Sequence, residues 1–286
     1  MPFNNHRNGF QNEKDFIKLL NNKKFNNLSF SLQLFINDIY GEINDNTIIK
    51  CFKNDKQQKY DIIIDINKKI KRISIKKGVK NSVHTEPITE MIHFLIENKM
   101  SKDMIINFLK YHYADGSTNG KGINRISISE YKKKHQKEID EINKFINNKN
   151  FLYKAINRFI IKGRNSKNKI DAIIYGVPED FIWIKRRYIY SILLSKKDEY
   201  STSIHFSNLT YQPLNRNLNM NHKYEKDRFI SQIKWYNISD DIIENMNNTA
   251  TKYLPRWLRA IYKKNADILD GFFIWSKCRR HLQLLL

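Results

Sequence analysis

The sequence predicts a mixed α/β protein whose strands are largely antiparallel. Three observations carry this reading. Short β-branched runs such as "TIIKCF", "YDIIID" and "RISIK" stand between turn residues, as strands do. Longer segments repeat apolar residues three and four apart, the period of a helix. The two types come in blocks instead of regular βα alternation, and no internal repeat is present.

Taken in order, residues 10–20 put Phe16, Ile17, Leu19 and Leu20 on a helical pattern, with Glu13 in an early turn. "FSLQLFINDIYGEI" continues as helix and stops near Gly41. "NTIIKCF" is a first strand, followed by a hairpin of residues 59–66 and 71–77 turning around 67–69. Next, Thr85 or Glu86 can cap a helix with Pro87 in its first turn, and Ile88, Met91, Ile92 and Leu95 form its stripe. Ser101 opens a helix over 102–112. "ADGSTNGKGINR" holds three glycines and reads as a flexible connection or mobile contact loop. Residues 129–146 and 151–161 are helical. Residues 169–177 and 180–194 read as strand, turn, then strand or helix, and 202–211 and 228–238 are further strand candidates. "DDIIENM" and residues 251–269 close the chain as helices, the latter started or bent at Pro255.

Charge narrows the partners. The 286 residues carry 51 Lys and Arg against 29 Asp and Glu, a net charge of +22. A field of that sign favours a polyanion, nucleic acid before an acidic membrane surface. The two cysteines, Cys51 and Cys278, are far apart with no Cys or His grouping, which excludes a zinc motif and fits a reducing, cytoplasmic setting. No apolar run is long enough to span a bilayer, and the first residues lack a secretory pattern.

The hairpin "YDIIIDINKKIKRISIKKG" can be sorted by parity, because strand side chains alternate faces. Ile62, Ile64, Ile66, Ile73 and Ile75 share the core face. Asp61, Ile63, Asp65, Ser74 and Lys76 share the other. A two-residue turn at Asn67–Lys68 sets Asp61 opposite Ser74, and a four-residue turn sets it opposite Lys76. Either register brings Asp61 and Lys76 within reach of a common oxygen. Asp65 lies about 13 Å from Asp61 along the strand, too far to share an ion, and is expected to pair with Arg72 or Lys68.

This order of helix, strand, Asp61 strand, Lys76 strand and helix resembles the PD-(D/E)xK nuclease superfamily. "YD" matches the first motif half, with Tyr60 in place of proline, and "SIK" the second, with Lys76 retained. Ser74 stands where that family has Asp or Glu. Glu13 matches the place of an accessory acid in many members. "ISIKKGVKNSVHTEP" is also similar to a restriction-endonuclease-like group in which a glycine loop and a His-x-Glu follow the lysine strand. The likeness covers about the first 115 residues. It implies a restriction-endonuclease-like mixed sheet flanked by helices, with residues 1–115 as nuclease core. Residues 116–286 form an α+β region for DNA recognition or dimerisation, or a continuation of the core.

The resemblance further implies a Mg²⁺-dependent DNA endonuclease, of a type II restriction or phage-defence kind, in which Mn²⁺ can substitute and a homodimer cuts both strands. A strand carboxylate can hold Mg²⁺ while the ion keeps several waters. A neighbouring lysine can orient the attacking water and stabilise the developing charge. The expected site is Asp61 as metal ligand, Lys76 as water-positioning residue, and Glu13 and Glu86 as supporting acids and metal ligands. Ser74 leaves three routes open: Glu86 or Glu90 takes over the missing acid, Glu13 supplies it, or the chain is a non-catalytic nucleic-acid-binding protein on the same fold. His84 reads as a site contact or a loop histidine. Asp171, Gln232 and Lys234 form a weaker duplicate of the motif. For DNA contact, Gln212, Asn215 and Arg216 are residue types suited to base edges. Arg186, Arg187, Arg256 and Arg259 lie in segments mixing cations with aromatics, suited to phosphates and stacking.

Overall fold

The computed structural model describes residues 5–253, apart from 57, 79–80, 123–124, 165, 197–200 and 215–221. Residues up to Ile238 form one compact unit, and Ser239 begins a second, to which all but the first residue of helix α8 (Ile238–Tyr253) belongs.

The first unit is built on two sheets. The larger has six strands in the order β1-β2-β3-β4-β6-β7: Lys23–Lys24, Ile48–Lys53, Ile62–Ile66, Lys69–Lys76, Ala172–Val177 and Asp180–Lys185. All neighbours are antiparallel except β4 and β6, which run parallel with Ser74 opposite Ile173. The sheet thus draws strands from both sides of residue 115. The second sheet is antiparallel in the order β5-β10-β9-β8, over Asn81–Pro87, Ile230–Trp235, Leu209–Pro213 and His205–Phe206.

Hairpin β3–β4 forms because its isoleucines have one dry face to occupy. Ile62, Ile64, Ile66 and Ile73 are fully or almost fully buried and Ile75 nearly so, each contributing about 1.5–3 kcal/mol. The two-residue turn is the one present, with Asn67 and Lys68 both at positive φ (51° and 65°). That is the backbone a tight hairpin needs to match strand twist. The register places Asp65 opposite Ile70. Its Oδ1 is buried without a hydrogen-bond partner, so the expected pairing with Arg72 or Lys68 does not form. Arg72 instead lies over the Tyr60 ring.

Helices α1 (Asn5–Leu20) and α2 (Phe30–Tyr40) cover the core face. In α1 the buried stripe is Asn12, Phe16 and Leu20, spaced four apart, while Leu19 is exposed, against the expected pattern. Phe16, Leu20, Leu32, Phe35, Ile36 and Ile39 close over the hairpin isoleucines. Asn12 donates to the Gly176 carbonyl near the end of β6, which holds α1 against the sheet.

Residues 81–87, expected as a loop and cap, form strand β5 because β10 offers it a partner. Helix α3 (Ile88–Glu97) therefore starts after Pro87, and Phe94 replaces Ile92 in its buried face. Helices α4 (Lys102–Tyr113), α5 (Ile128–Ile146), α6 (Lys149–Ile156) and α7 (Arg186–Ser195) complete the unit. Ser101 caps α4 by accepting from the Met104 amide. After α6 the chain widens into a π-helical turn, Asn157–Ile161. The glycine loop is pinned at Asp115, whose carboxylate accepts from the Ser117 amide and hydroxyl, the Gly122 amide and the Arg228 guanidinium. None of the described helices is long and apolar enough to cross a membrane.

Candidate active site

At the far end of the hairpin from its turn, Asp61 and Ser74 stand one step beyond the Ile62–Ile73 pair. Asp61 Oδ2 accepts from the Ile75 amide at 2.5 Å and from the Ser74 hydroxyl at 3.1 Å. Lys76 Nζ lies 3.6 Å from the same oxygen and donates to the Ile75 carbonyl at 3.2 Å. The carboxylate is held by one oxygen, while Oδ1 makes no hydrogen bond to any described residue.

These groups line a cavity of about 190 Å³ together with Gln58, Lys59, Ser82, His84, Thr85 and Ile160. A larger groove of about 560 Å³, lined by Asn98, Met104, Phe145 and Phe151 among others, has one acid, Glu141, beside two lysines. The smaller cavity has the convergent charged groups.

Glu13 approaches from α1. Its carboxyl is half-buried and pairs with Lys53 at 3.7 Å. Burial and the Asp61 charge push its pKa above the ordinary carboxylate range, while Lys53 and Lys76 oppose them. Glu13 and Asp61 therefore share one electrostatic neighbourhood.

Glu86 takes a different place. On β5 it is buried, gripped by Arg158 from the π-helical turn through Nε at 3.3 Å and a second nitrogen at 2.7 Å. His84 Nε2 lies 3.1 Å from Glu86 Oε2. Burial alone would raise this carboxyl, but His84 and Arg158 outweigh it and hold the pKa down. Glu86 does not line the Asp61 cavity. Glu90 pairs with Arg164 at 2.9 Å. Neither acid of this region is among the residues lining the cavity at Ser74.

Two further residues line the cavity: Lys59, which carried little signal in the sequence, and His84, read there as a site contact or a loop histidine. Lys59 Nζ donates to the Val83 carbonyl at 2.8 Å and meets His84 Nδ1 at 2.7 Å. Burial and the Lys76 charge push it down to about 7, with Glu86 and Asp61 opposing. Burial likewise takes His84 down to about 4, so its imidazole is neutral near pH 7. Neutral His84 accepts from Lys59 at Nδ1, while its Nε2 lies 3.1 Å from Glu86 Oε2 without a hydrogen bond of good geometry. A chain of contacts thus runs from the cavity wall through His84 and Glu86 to Arg158. Nothing local in "QQKYD" marks Lys59, because its partners lie 24 and 25 residues away.

The weaker duplicate is not assembled. Asp171 accepts from the Arg72 amide, whereas Gln232 and Lys234 belong to β10 in the other sheet. Arg186 contacts the Ile170 carbonyl and Asp171, and exposed Arg187 packs over Tyr188, neither among the cavity residues. Gln212 lies on β9, buried, where a surface loop was expected. Asn215, Arg216, Arg256, Arg259 and Cys278 fall outside the described residues.

Among the described residues no three His, Cys, Asp or Glu side chains form a ready cage for a metal ion. Magnesium does not need one: it is commonly held by one or two carboxylates, the remaining positions going to water and substrate phosphate. The Asp61 oxygen that no described residue engages fits that requirement, while Glu13 feels the Asp61 charge but, like Glu86, is not among the residues lining the cavity.

A mixed sheet flanked by helices, carrying an acid–lysine hairpin at one end, is a restriction-endonuclease-like fold. The chain is similar over 82% of its length to the crystal structure of restriction endonuclease MspI in complex with its cognate DNA. The match covers 93% of that chain, with a TM-score of 0.50 and 13% sequence identity. At that identity the likeness is one of fold. No family model and no curated protein matches the sequence.

Proposed function

We propose that the protein is a Mg²⁺-dependent endonuclease that hydrolyses phosphodiester bonds of DNA, of a restriction or phage-defence kind. The observation that carries this reading is the joint grip of Ile75 N–H, Ser74 Oγ and Lys76 Nζ on one oxygen of Asp61, at the mouth of a polar cavity. The net charge of +22 supports a polyanionic substrate, and the neighbour of the same fold is a DNA complex.

In this reading Asp61 and Glu13 would hold the metal ion. When bound there, Mg²⁺ would supply charge stabilisation at the attacked phosphate and acidify the attacking water. Lys76, anchored by the Ile75 carbonyl and Asp61, directs its ammonium toward the attacking water and the charge that develops on phosphate. Lys59 and His84 set the cavity wall, and Glu86 with Arg158 holds His84 in place. Mn²⁺ is expected to substitute, and a homodimer would supply one site per strand.

One observation favours a second reading, a DNA-binding protein without cleavage: Ser74 stands where the motif has a carboxylate. Plasmid cleavage with Mg²⁺ or Mn²⁺ separates the two. Wild type should nick and linearise, with Asp61→Ala and Lys76→Ala lowering the rate by about 10²–10³-fold or more. DNA retention without metal-dependent cleavage would favour the second reading, and cleavage indifferent to both substitutions would sink the site.

A further inference from the structure

The second sheet carries a polar row outside the hairpin chemistry. In β10, Ser231, Ile233 and Trp235 are buried, whereas Gln232 and Lys234 on the opposite face are half-buried. Register places Thr85 of β5 and Gln212 of β9 on either side of Gln232. Directly opposed strand residues share a face, so these three polar side chains form one line across three strands. Ser82 stands opposite Lys234 in the neighbouring row. Ser82 and Thr85 are also walls of the Asp61 cavity, so the polar face and the cavity are continuous.

Within that line the amide directions are set. The Tyr236 hydroxyl donates to Gln212 Oε1 at 3.5 Å, and Gln212 Nε2 donates to Gln232 Oε1 at 2.7 Å. Gln212 is buried and spends its amide on its neighbour. Gln232 is left with an NH₂ that has no partner among the described residues, beside a carbonyl with one lone pair in use. A donor and an acceptor side by side are complementary to N7 and N6–H₂ of adenine in the major groove.

We propose that Gln232 reads an adenine edge in duplex DNA beside the cleavage cavity, with Gln212 as the positioning residue that fixes its amide. This rests on the reading of the protein as a DNA nuclease and names its sequence-reading surface. Duplex DNA is the occupant because the chain is strongly cationic and the row runs into the proposed phosphodiester site.

The test is selection of bound sequences from a randomised duplex pool without divalent metal, so that no cleavage is needed. Wild type should enrich an A·T pair at one position. Gln232→Ala should lose that preference by about tenfold to a hundredfold, and Gln232→Glu, which can only accept, should shift it toward cytosine. Gln212→Leu should blunt the adenine preference with affinity for the pool as a whole unchanged, a split that loss of folding would not produce. Circular dichroism checks that each variant is folded. Profiles of Gln232→Ala and Gln232→Glu identical to wild type, or no enrichment by wild type, would overturn the assignment. Selection without cleavage defeats the nuclease reading alone. Cut sites unchanged in Gln232→Ala defeat the adenine reader alone.

Discussion

Ser74 Oγ donates to Asp61 Oδ2 at 3.1 Å across the open end of the β3–β4 hairpin, placing a hydroxyl against the carboxylate at that end. Ser74→Asp should therefore set two carboxylates face to face. Without metal the like charges should destabilise the fold by on the order of 1 kcal/mol, read by urea unfolding. With Mg²⁺ they should tighten binding by about tenfold, since ligand charge tunes affinity. Isothermal titration showing no gain over wild type would remove Asp61 from the metal site.

Glu86 should behave as a structural acid. Arg158→Leu strands a buried carboxylate and should cost about 3–5 kcal/mol, whereas joint replacement of Glu86 and Arg158 by Leu should recover most of it. Glu86→Gln should leave the Mg²⁺ midpoint of cleavage unchanged. A shifted midpoint would return Glu86 to the metal site.

Acid should weaken the fold through two buried histidines. His112 lies between the Tyr211 hydroxyl and the Arg228 carbonyl, and burial pushes it down to about 4, as it does His84. In the unfolded chain both return to their ordinary value of 6.5. Above 6.5 neither state binds the proton, and the stability of the neutral fold is fully present. Between 6.5 and about 4 only the unfolded chain does, so stability falls by about 1.4 kcal/mol per pH unit for each histidine. Below that both states are charged and the slope ends. Denaturant unfolding across this window should show the fall, and His112→Gln should remove about half of its slope.

The turn offers a stabilising change. Lys68 holds a φ of 65° that favours glycine, and Lys68→Gly creates the Asn-Gly pair preferred in two-residue hairpins. Stability should rise by about 0.5–1 kcal/mol, as relief of left-handed strain exceeds the entropy glycine loses. A lower melting temperature would contradict that turn geometry.

Much of the hairpin was legible because its information is local. Alternation alone sorts Ile62, Ile64 and Ile66 from Asp61 and Asp65, and the hairpin offers few registers to Ser74 and Lys76. Strand β5 was not legible: "NSVHTEP" has weak strand character, and its partner β10 lies some 145 residues on. The partner of Glu86 was not legible for the same reason. Arg158, which takes its charge, is 72 residues away in sequence.

By itself the sequence determined the strand faces, the acid–lysine pairing and the cationic charge, all set by periodicity and composition over short spans. Only the tertiary structure decided that Lys59 and His84 wall the cavity, that Glu86 is spent on Arg158, and that Gln212 and Gln232 stand side by side. Those relationships depend on which strands meet, and strand pairing between distant segments is chosen by burial of whole sheet faces, which no short stretch of residues encodes.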